Sequence, residues 1–265
     1  MIPYHDENQT QRTPIVTFAL IFITTLTWIV VQGAGSALAV ARSVCDLGLI
    51  PGELTERVPP GTSFQIAEGL ACLTDPGPQI SHLFTSMFLH GSWMHLIGNM
   101  WFLWLFGNNV EDAMTRSRFV AFYLLCGLAA AITQVAADPA SAVPMVGASG
   151  AISGVMGAYL VLFPRVRVWT IIPLGFYPYQ TAVPAWVMLI YWAFLQFAGG
   201  VTSVVGGESG GVAFWAHLGG FVAGVVLIKV FVRRDHVAAH VSGRWSPREA
   251  GWRWAIRTPG SGVRG

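Results

Sequence analysis

Charge is what this chain lacks most. Only 11% of its 265 residues are Asp, Glu, Lys or Arg, against about 25% in a soluble globular domain. With 54% hydrophobic residues and a mean hydropathy of +0.56, the composition excludes an ordinary water-soluble fold and predicts an integral membrane protein. Lysine is nearly missing too. Lys229 stands alone, and every other basic residue is Arg. There is no internal repeat, no Walker loop, no Rossmann glycine pattern and no Cys/His cluster at zinc spacing. Those absences leave no sequence ground for a nucleotide or a metal site. Cysteine is scarce, with three in all. Cys126 lies in an apolar run and reads as a small core residue. Cys45 and Cys72 share one polar loop and could pair if that loop faces an oxidising compartment. Sequence does not fix the geometry such a bond needs.

What is present is a set of long apolar runs. A spanning helix takes about 20 mostly apolar residues, and its backbone groups must be satisfied within the segment. Six stretches qualify, at about 14–32, 92–109, 119–137, 148–163, 184–200 and 212–232. The expected fold is therefore all-α: a polytopic bundle over 14–232, preceded by a short segment 1–13 and followed by a basic tail 233–265. Residues Val168–Phe176 are too short to span and contain Pro173, so they are expected to lie at the interface within a loop.

Orientation follows from Lys and Arg. With six spans, Arg12, Arg116, Arg118, Arg165, Arg167, Lys229 and the tail arginines share one side, while the other side has Arg42 and Arg57. Both termini are expected in the cytoplasm and the long 33–91 loop outside. The tail reads as a segment that touches anionic lipid, not as a nucleic-acid binder.

Polar residues inside spans mark function by default. The second span carries His95 and Asn99 at i, i+4, on one face; His82 and His90 precede them. The fourth opens with Ser149, followed by Ser153, and the sixth holds His217. No carboxylate lies deep in any span, so the available set is a Ser–His dyad without an acidic third member. A serine hydroxyl becomes a nucleophile when a base takes its proton, and imidazole suits that task. The developing oxyanion needs fixed donors. The start of the fourth helix offers free backbone N–H groups, and His95 and Asn99 offer side-chain ones. Gly150, Gly154 and Gly157 on the fourth span, and Gly220 and Gly224 on the sixth, would let these helices approach closely.

Gly147-Ala148-Ser149-Gly150, Ala216-His217 with Gly220 and Gly224, and His95-Leu96-Ile97-Gly98-Asn99 together resemble the rhomboid family of intramembrane serine proteases, of the bacterial six-helix type. Phe88-Leu89-His90-Gly91 and Gly107-Asn108-Asn109-Val110-Glu111 are similar as well, so the likeness covers about residues 80–232. The resemblance implies Ser149 as nucleophile and His217 as general base. It implies an oxyanion hole from His95, Asn99 and the Ser149 N–H, with Gly147, Gly150, Gly154, Gly220 and Gly224 as motif and packing positions. It implies single-pass membrane proteins as substrates, a plasma-membrane location, and neither metal nor cofactor. Some members place a tyrosine four residues after the nucleophile, stacked on the histidine; here that position is Ser153, which leaves open what holds the ring.

Pro144 disfavours helix just before the nucleophile, so the 138–148 loop is expected to dip toward Ser149. The Gly-rich stretch Gly199-Gly200, Gly206-Gly207, Gly210-Gly211, with the fifth helix, is expected to gate substrate access. Two other classes compete. A non-catalytic relative that binds membrane proteins usually lacks the serine or the histidine, and both are here. A transporter usually shows repeats and intramembrane carboxylates, and neither is seen.

Overall fold

The computed structural model describes residues 1–67, 69–174, 177–206 and 213–237. Gly207, Gly210 and Gly211 of the expected gate, and the tail from residue 238 on, lie outside the described residues.

Each expected span is helical. The helices are α1 (Ile15–Val30), α2 (Ala37–Leu47), α3 (Pro51–Leu54), α4 (His82–Thr85), α5 (Trp93–Phe102), α6 (Asn108–Asp112), α7 (Arg116–Ala137), α8 (Ser149–Leu162), α9 (Ala185–Gly206) and α10 (Phe214–Phe231). Between α5 and α6 the chain winds as a π-helix over Leu103–Gly107, so the second span is one continuous rod with a widened turn. By length and composition, α7, the Ala185–Ser203 part of α9, and α10 can cross a membrane; α1 and α8 are shorter apolar helices.

The loop reading of Val168–Phe176 is corrected over 168–174; Gly175 and Phe176 lie outside the described residues. Strands β4 (Arg167–Leu174) and β5 (Tyr177–Pro184) pair antiparallel, and β1 (Ile2–Asp6) adds to β4, giving the order β1-β4-β5. The run is too short for a spanning helix but the right length for a strand, and Val168, Thr170, Ile171 and Ile172 are β-branched. Pro173 sits near the hairpin end, opposite Pro178, where it interrupts little of the ladder. The fold is thus mostly helical, not all-α. A second hairpin, β2 (Ser63–Ala67) with β3 (Leu70–Leu73), lies in the 33–91 loop.

Carboxylates that the spans exclude gather at the sheet end of the bundle. Glu111 of α6 accepts from the Val16 and Thr17 backbone N–H groups and from the Thr17 hydroxyl at 2.8–3.0 Å. It therefore caps the start of α1, where Pro14 supplies no side-chain cap, and its charge meets the positive end of the helix dipole. Asp6 of β1 accepts from Asn109 Nδ2 and from the Tyr159 hydroxyl. Asp112 pairs with Arg12 at 3.0 Å. The N-terminal segment is thereby fastened to α6 and α8.

At the opposite end, Cys45 of α2 and Cys72 of β3 form a disulfide with Cα atoms 5.6 Å apart. Leu49 and Met145 exchange backbone hydrogen bonds at 3.0 and 2.7 Å, and Gly52 N–H donates to Ser141 O. The long loop is thus stitched to the 138–148 loop that leads into α8. Cys126 is a free, fully buried thiol on α7.

The core of the bundle is α8. Ten of its fourteen residues are buried, Gly150 through Tyr159 without a break. Its glycines flatten the sides that meet α10 and α7. A Cβ on Gly220 would collide with the Gly150 carbonyl, one on Gly224 with the Gly154 carbonyl, and one on Gly157 with the Phe221 carbonyl. On the α7 side, Gly150 and Gly154 meet Ala130 and Cys126. In lipid, where tails are as apolar as leucine, such close packing carries helix association.

Gly224→Val should push α10 off α8. Overpacking typically costs about 1–3 kcal/mol, so thermal unfolding in detergent should begin well below wild type, and an unchanged melt would contradict the contact. Reduction of the Cys45–Cys72 bond, or Cys45→Ser with Cys72→Ser, should lower stability by about 2–4 kcal/mol. The same melt with and without reductant reads it.

Candidate active site

Ser149 is the first residue of α8, with Ala148 as N-cap. Its backbone N–H belongs to the first turn and has no carbonyl partner within the helix. Just before it, Gly147 holds φ +126°, a conformation that L side chains rarely adopt, while its N–H donates to Ser86 O at 2.9 Å. That turn aims the start of α8 into a cavity of about 940 Å³. Ser149, His217, His95 and Asn99 all line it, and so do Pro144 and Gly147 of the preceding loop.

His217 lies one turn into α10. Its Nε2 is 2.7 Å from Ser149 Oγ, and both side chains are half-buried. The glycine contacts explain the reach. Ser149 and His217 stand next to Gly150 and three residues before Gly220, the first pair of backbones that touch. Gln134 of α7 steadies the other helix by accepting from the Ala216 N–H at 3.2 Å.

His95 and Asn99 enter from α5. Ser92 caps this helix, its hydroxyl accepting from the His95 N–H at 3.1 Å. The Gly91 N–H points at His95 Nδ1 at 3.4 Å. A ring nitrogen that accepts carries no proton, so Nε2 is the N–H side of this ring. That Nε2 lies against Gly147, next to the serine: a Cβ placed on Gly147 would stand 2.8 Å from His95 Nε2 and 3.6 Å from Ser149 Oγ. Asn99 is buried and its Nδ2 lies 2.9 Å from His90 Nε2. A carboxamide nitrogen has two hydrogens, so one N–H remains for the cavity. His90 is itself fully buried, edge-on to His95 with centroids 4.9 Å apart. Gln32 holds it by both backbone groups, accepting from the His90 N–H and donating to the His90 carbonyl at 2.8 Å each.

Ser149, His217, His95 and Asn99, the four reactive and oxyanion positions expected from sequence, therefore line one cavity, with Gly147 and Gly150 beside them; Gly154, Gly220 and Gly224 lie deeper along the helix contact, and Cys45 and Cys72 lie elsewhere, in their disulfide. Ser153 does not take the ring-stacking place open beside the imidazole; its hydroxyl turns back to the Ser149 carbonyl at 2.6 Å. The residues that sequence reasoning missed are on α9. Trp192 approaches the His217 ring at 6.0 Å between centroids, tilted by 39°. Gln196, one turn further, puts Oε1 2.8 Å from His217 Nδ1. A search of the spans for charge passes over a neutral carboxamide, although a glutamine among apolar neighbours is as conspicuous as the serine. Among the described residues, no group of three or more His, Cys, Asp or Glu could hold a metal ion.

The comparisons with known proteins converge. A model of the Rhomboid domain matches residues 77–234. RHOMBOID-like protein 5 of Arabidopsis thaliana is 31% identical over 165 residues, 62% of this chain and 48% of that protein. Rhomboid protein 1, mitochondrial, of Saccharomyces cerevisiae is 28% identical over 60% of this chain and 45% of its own length. Rhomboid-like protease 5 of Toxoplasma gondii is 30% identical over 57% of this chain and 16% of its own. The chain thus spans less than half the length of each of these relatives.

Gly147→Ala forces an L residue into a strained turn and drives its methyl at the His95 ring. Strain of this kind costs about 1–3 kcal/mol. The expected outcome is a lower melting temperature together with slower labelling of Ser149 by a fluorophosphonate probe. Labelling at the wild-type rate would show that the turn does not position the serine.

Proposed function

The chain belongs to the rhomboid family, a mostly helical, multi-pass membrane protein by its apolar helices, and on that premise we propose that it is a serine endopeptidase working within the membrane. The observation that carries the reading is the 2.7 Å contact between Ser149 Oγ and His217 Nε2, in a cavity also lined by side-chain N–H donors.

The chemistry runs in two halves. As Ser149 Oγ adds to a peptide carbonyl carbon, its proton passes to His217 Nε2. The carbonyl oxygen becomes an oxyanion, held by His95 Nε2–H, the second Asn99 N–H and the Ser149 backbone N–H. Collapse breaks the C–N bond, and the imidazolium gives its proton to the leaving amine. Water then adds to the acyl-serine with His217 as base again, and the acid product leaves. No step calls for a metal or cofactor.

The substrate class in this reading is a single-pass membrane protein, cut in or near its spanning segment. Its support is the position of the cavity among apolar helices. The exposed apolar faces of α9, with Trp186, Phe194 and Phe197 about half exposed, suit a neighbouring transmembrane segment. The reading extends to six crossings with both termini in the cytoplasm, supported by the arginine distribution, and to the bacterial plasma membrane of the six-helix type.

Reconstituted wild-type protein should cleave a membrane-anchored reporter, while Ser149→Ala and His217→Ala should not. Asn99→Ala removes one oxyanion donor and should cost about 100- to 1000-fold in rate. Full activity in Ser149→Ala would overturn the mechanism. A wild type that neither cleaves the reporter nor reacts with a fluorophosphonate would favour a non-catalytic membrane-protein binder instead.

A further inference from the structure

We propose that Gln196, on α9, is a positioning residue that sets the tautomer of His217. Its Oε1 lies 2.8 Å from His217 Nδ1, while Ser149 Oγ lies 2.7 Å from Nε2 on the other side of the ring. A carboxamide oxygen only accepts. Facing Nδ1, it keeps the ring proton there and leaves the Nε2 lone pair free to take the serine proton. A carboxylate does this in a Ser-His-Asp triad. Here the spans offer no such group, and a neutral acceptor performs the orienting part without an ionised group to desolvate.

A second contact comes from the same face of the same helix. Trp192 and Gln196 are four residues apart, so both project toward α10, and Trp192 flanks the ring that Gln196 bonds. Ser153 supplies neither contact, since its hydroxyl is engaged with the Ser149 carbonyl. Among the described residues, the contacts that hold the imidazole beyond Ser149 itself therefore come from α9. Any outward movement of α9 would release the base, so base orientation and the position of α9 are linked.

The carboxamide has an alternative. Turned over, it would present an N–H to Nδ1 and favour the tautomer with Nε2 protonated, in which His217 cannot act as base. The orientation assigned here is testable without any assumption about catalysis. In protein labelled with ¹⁵N-histidine, the His217 resonances are identified as those lost in His217→Ala. The wild type should show a protonated Nδ1 and an unprotonated Nε2 at pH 8. Gln196→Leu, which keeps bulk and removes the acceptor, should show mixed tautomers. A wild-type ring protonated at Nε2, or an unchanged spectrum in Gln196→Leu, overturns the proposal.

Its kinetic consequence rests on the protease reading. Gln196→Leu should lower kcat at least about 10-fold with KM nearly unchanged; a reversed tautomer in a Ser-His-Asp enzyme costs about 10⁴-fold. Gln196→Glu, again an acceptor at Nδ1, should retain activity but carry a charge that favours the imidazolium. The acid limb of its kcat profile should therefore move to higher pH. The other titratable groups lining the cavity are His95, on α5, and Asp138, just past α7; neither is altered by these substitutions, so the shift reports on the 196–217 contact. A wild type that cleaves while Gln196→Leu cleaves equally well, or a Gln196→Glu profile with its acid limb unmoved, defeats the Gln196 role alone. A wild type that does not cleave defeats the protease reading, and the tautomer spectrum then still decides the contact.

Discussion

The structure depends on two backbones touching. Where Gly150 meets Gly220 and Gly154 meets Gly224, no room exists for a side chain. This contact does more than bind α8 to α10. It fixes how far apart the first turns of the two helices lie, and those turns carry Ser149 and His217. A serine side chain is short, so an imidazole from another helix can reach its oxygen only when the helices nearly share a surface. Larger residues at the crossing would separate the axes by more than the reach of a hydrogen bond. Stability and the geometry of the dyad therefore have one origin. The same residues could not be exchanged to improve one without affecting the other.

Much of this was legible in the sequence because membrane burial makes polarity rare and hence informative. The apolar runs gave helix positions within a few residues, and Ser149, His217, His95 and Asn99 stood out against them. The small-residue spacing on α8 and α10 pointed to their contact. Less legible were features that a period or a charge search does not register. The β4–β5 hairpin was hidden because its apolar run matched neither a spanning helix nor a clean alternation, with Pro173 reading as a breaker when it is near a strand end. The role of Glu111 as a cap for α1 joins residues nearly one hundred positions apart, and nothing local announces it. Segment 1–13 read only as a short segment before the first span, yet its strand pairs with β4, a long-range pairing that sequence does not specify.

Three buried carboxylates gather at one end of this fold. Glu111, Asp112 and Asp6 cluster with their donors at the sheet end, whereas the polar side chains that the helices themselves present to the dyad's cavity are serines, amides and imidazoles, Asp138 reaching it from just past α7. This division follows from the cost of desolvating a charge against that of a neutral dipole. A buried carboxylate needs several donors, and the sheet end provides backbone N–H groups, Arg12 and Asn109. The helix interior has its N–H groups already committed to the helices. A site built there is therefore composed of hydroxyls, amides and imidazoles instead of carboxylates.

That constraint gives the α9 contact its weight. In a soluble serine protease the acid both orients the imidazole and stabilises its protonated form. In the mechanism proposed above, a neutral acceptor would separate the two tasks: orientation is retained, and the charge on the imidazolium would be met by the oxyanion forming beside it. Base and oxyanion then stabilise each other only while both exist, in the transition state. Little is gained in the resting state, where a standing ion pair would instead have to be desolvated. On the protease reading, an amide in place of a carboxylate is thus not a defective triad. It suits a site built among apolar helices, because the interaction is strong only when the reaction has created the charges.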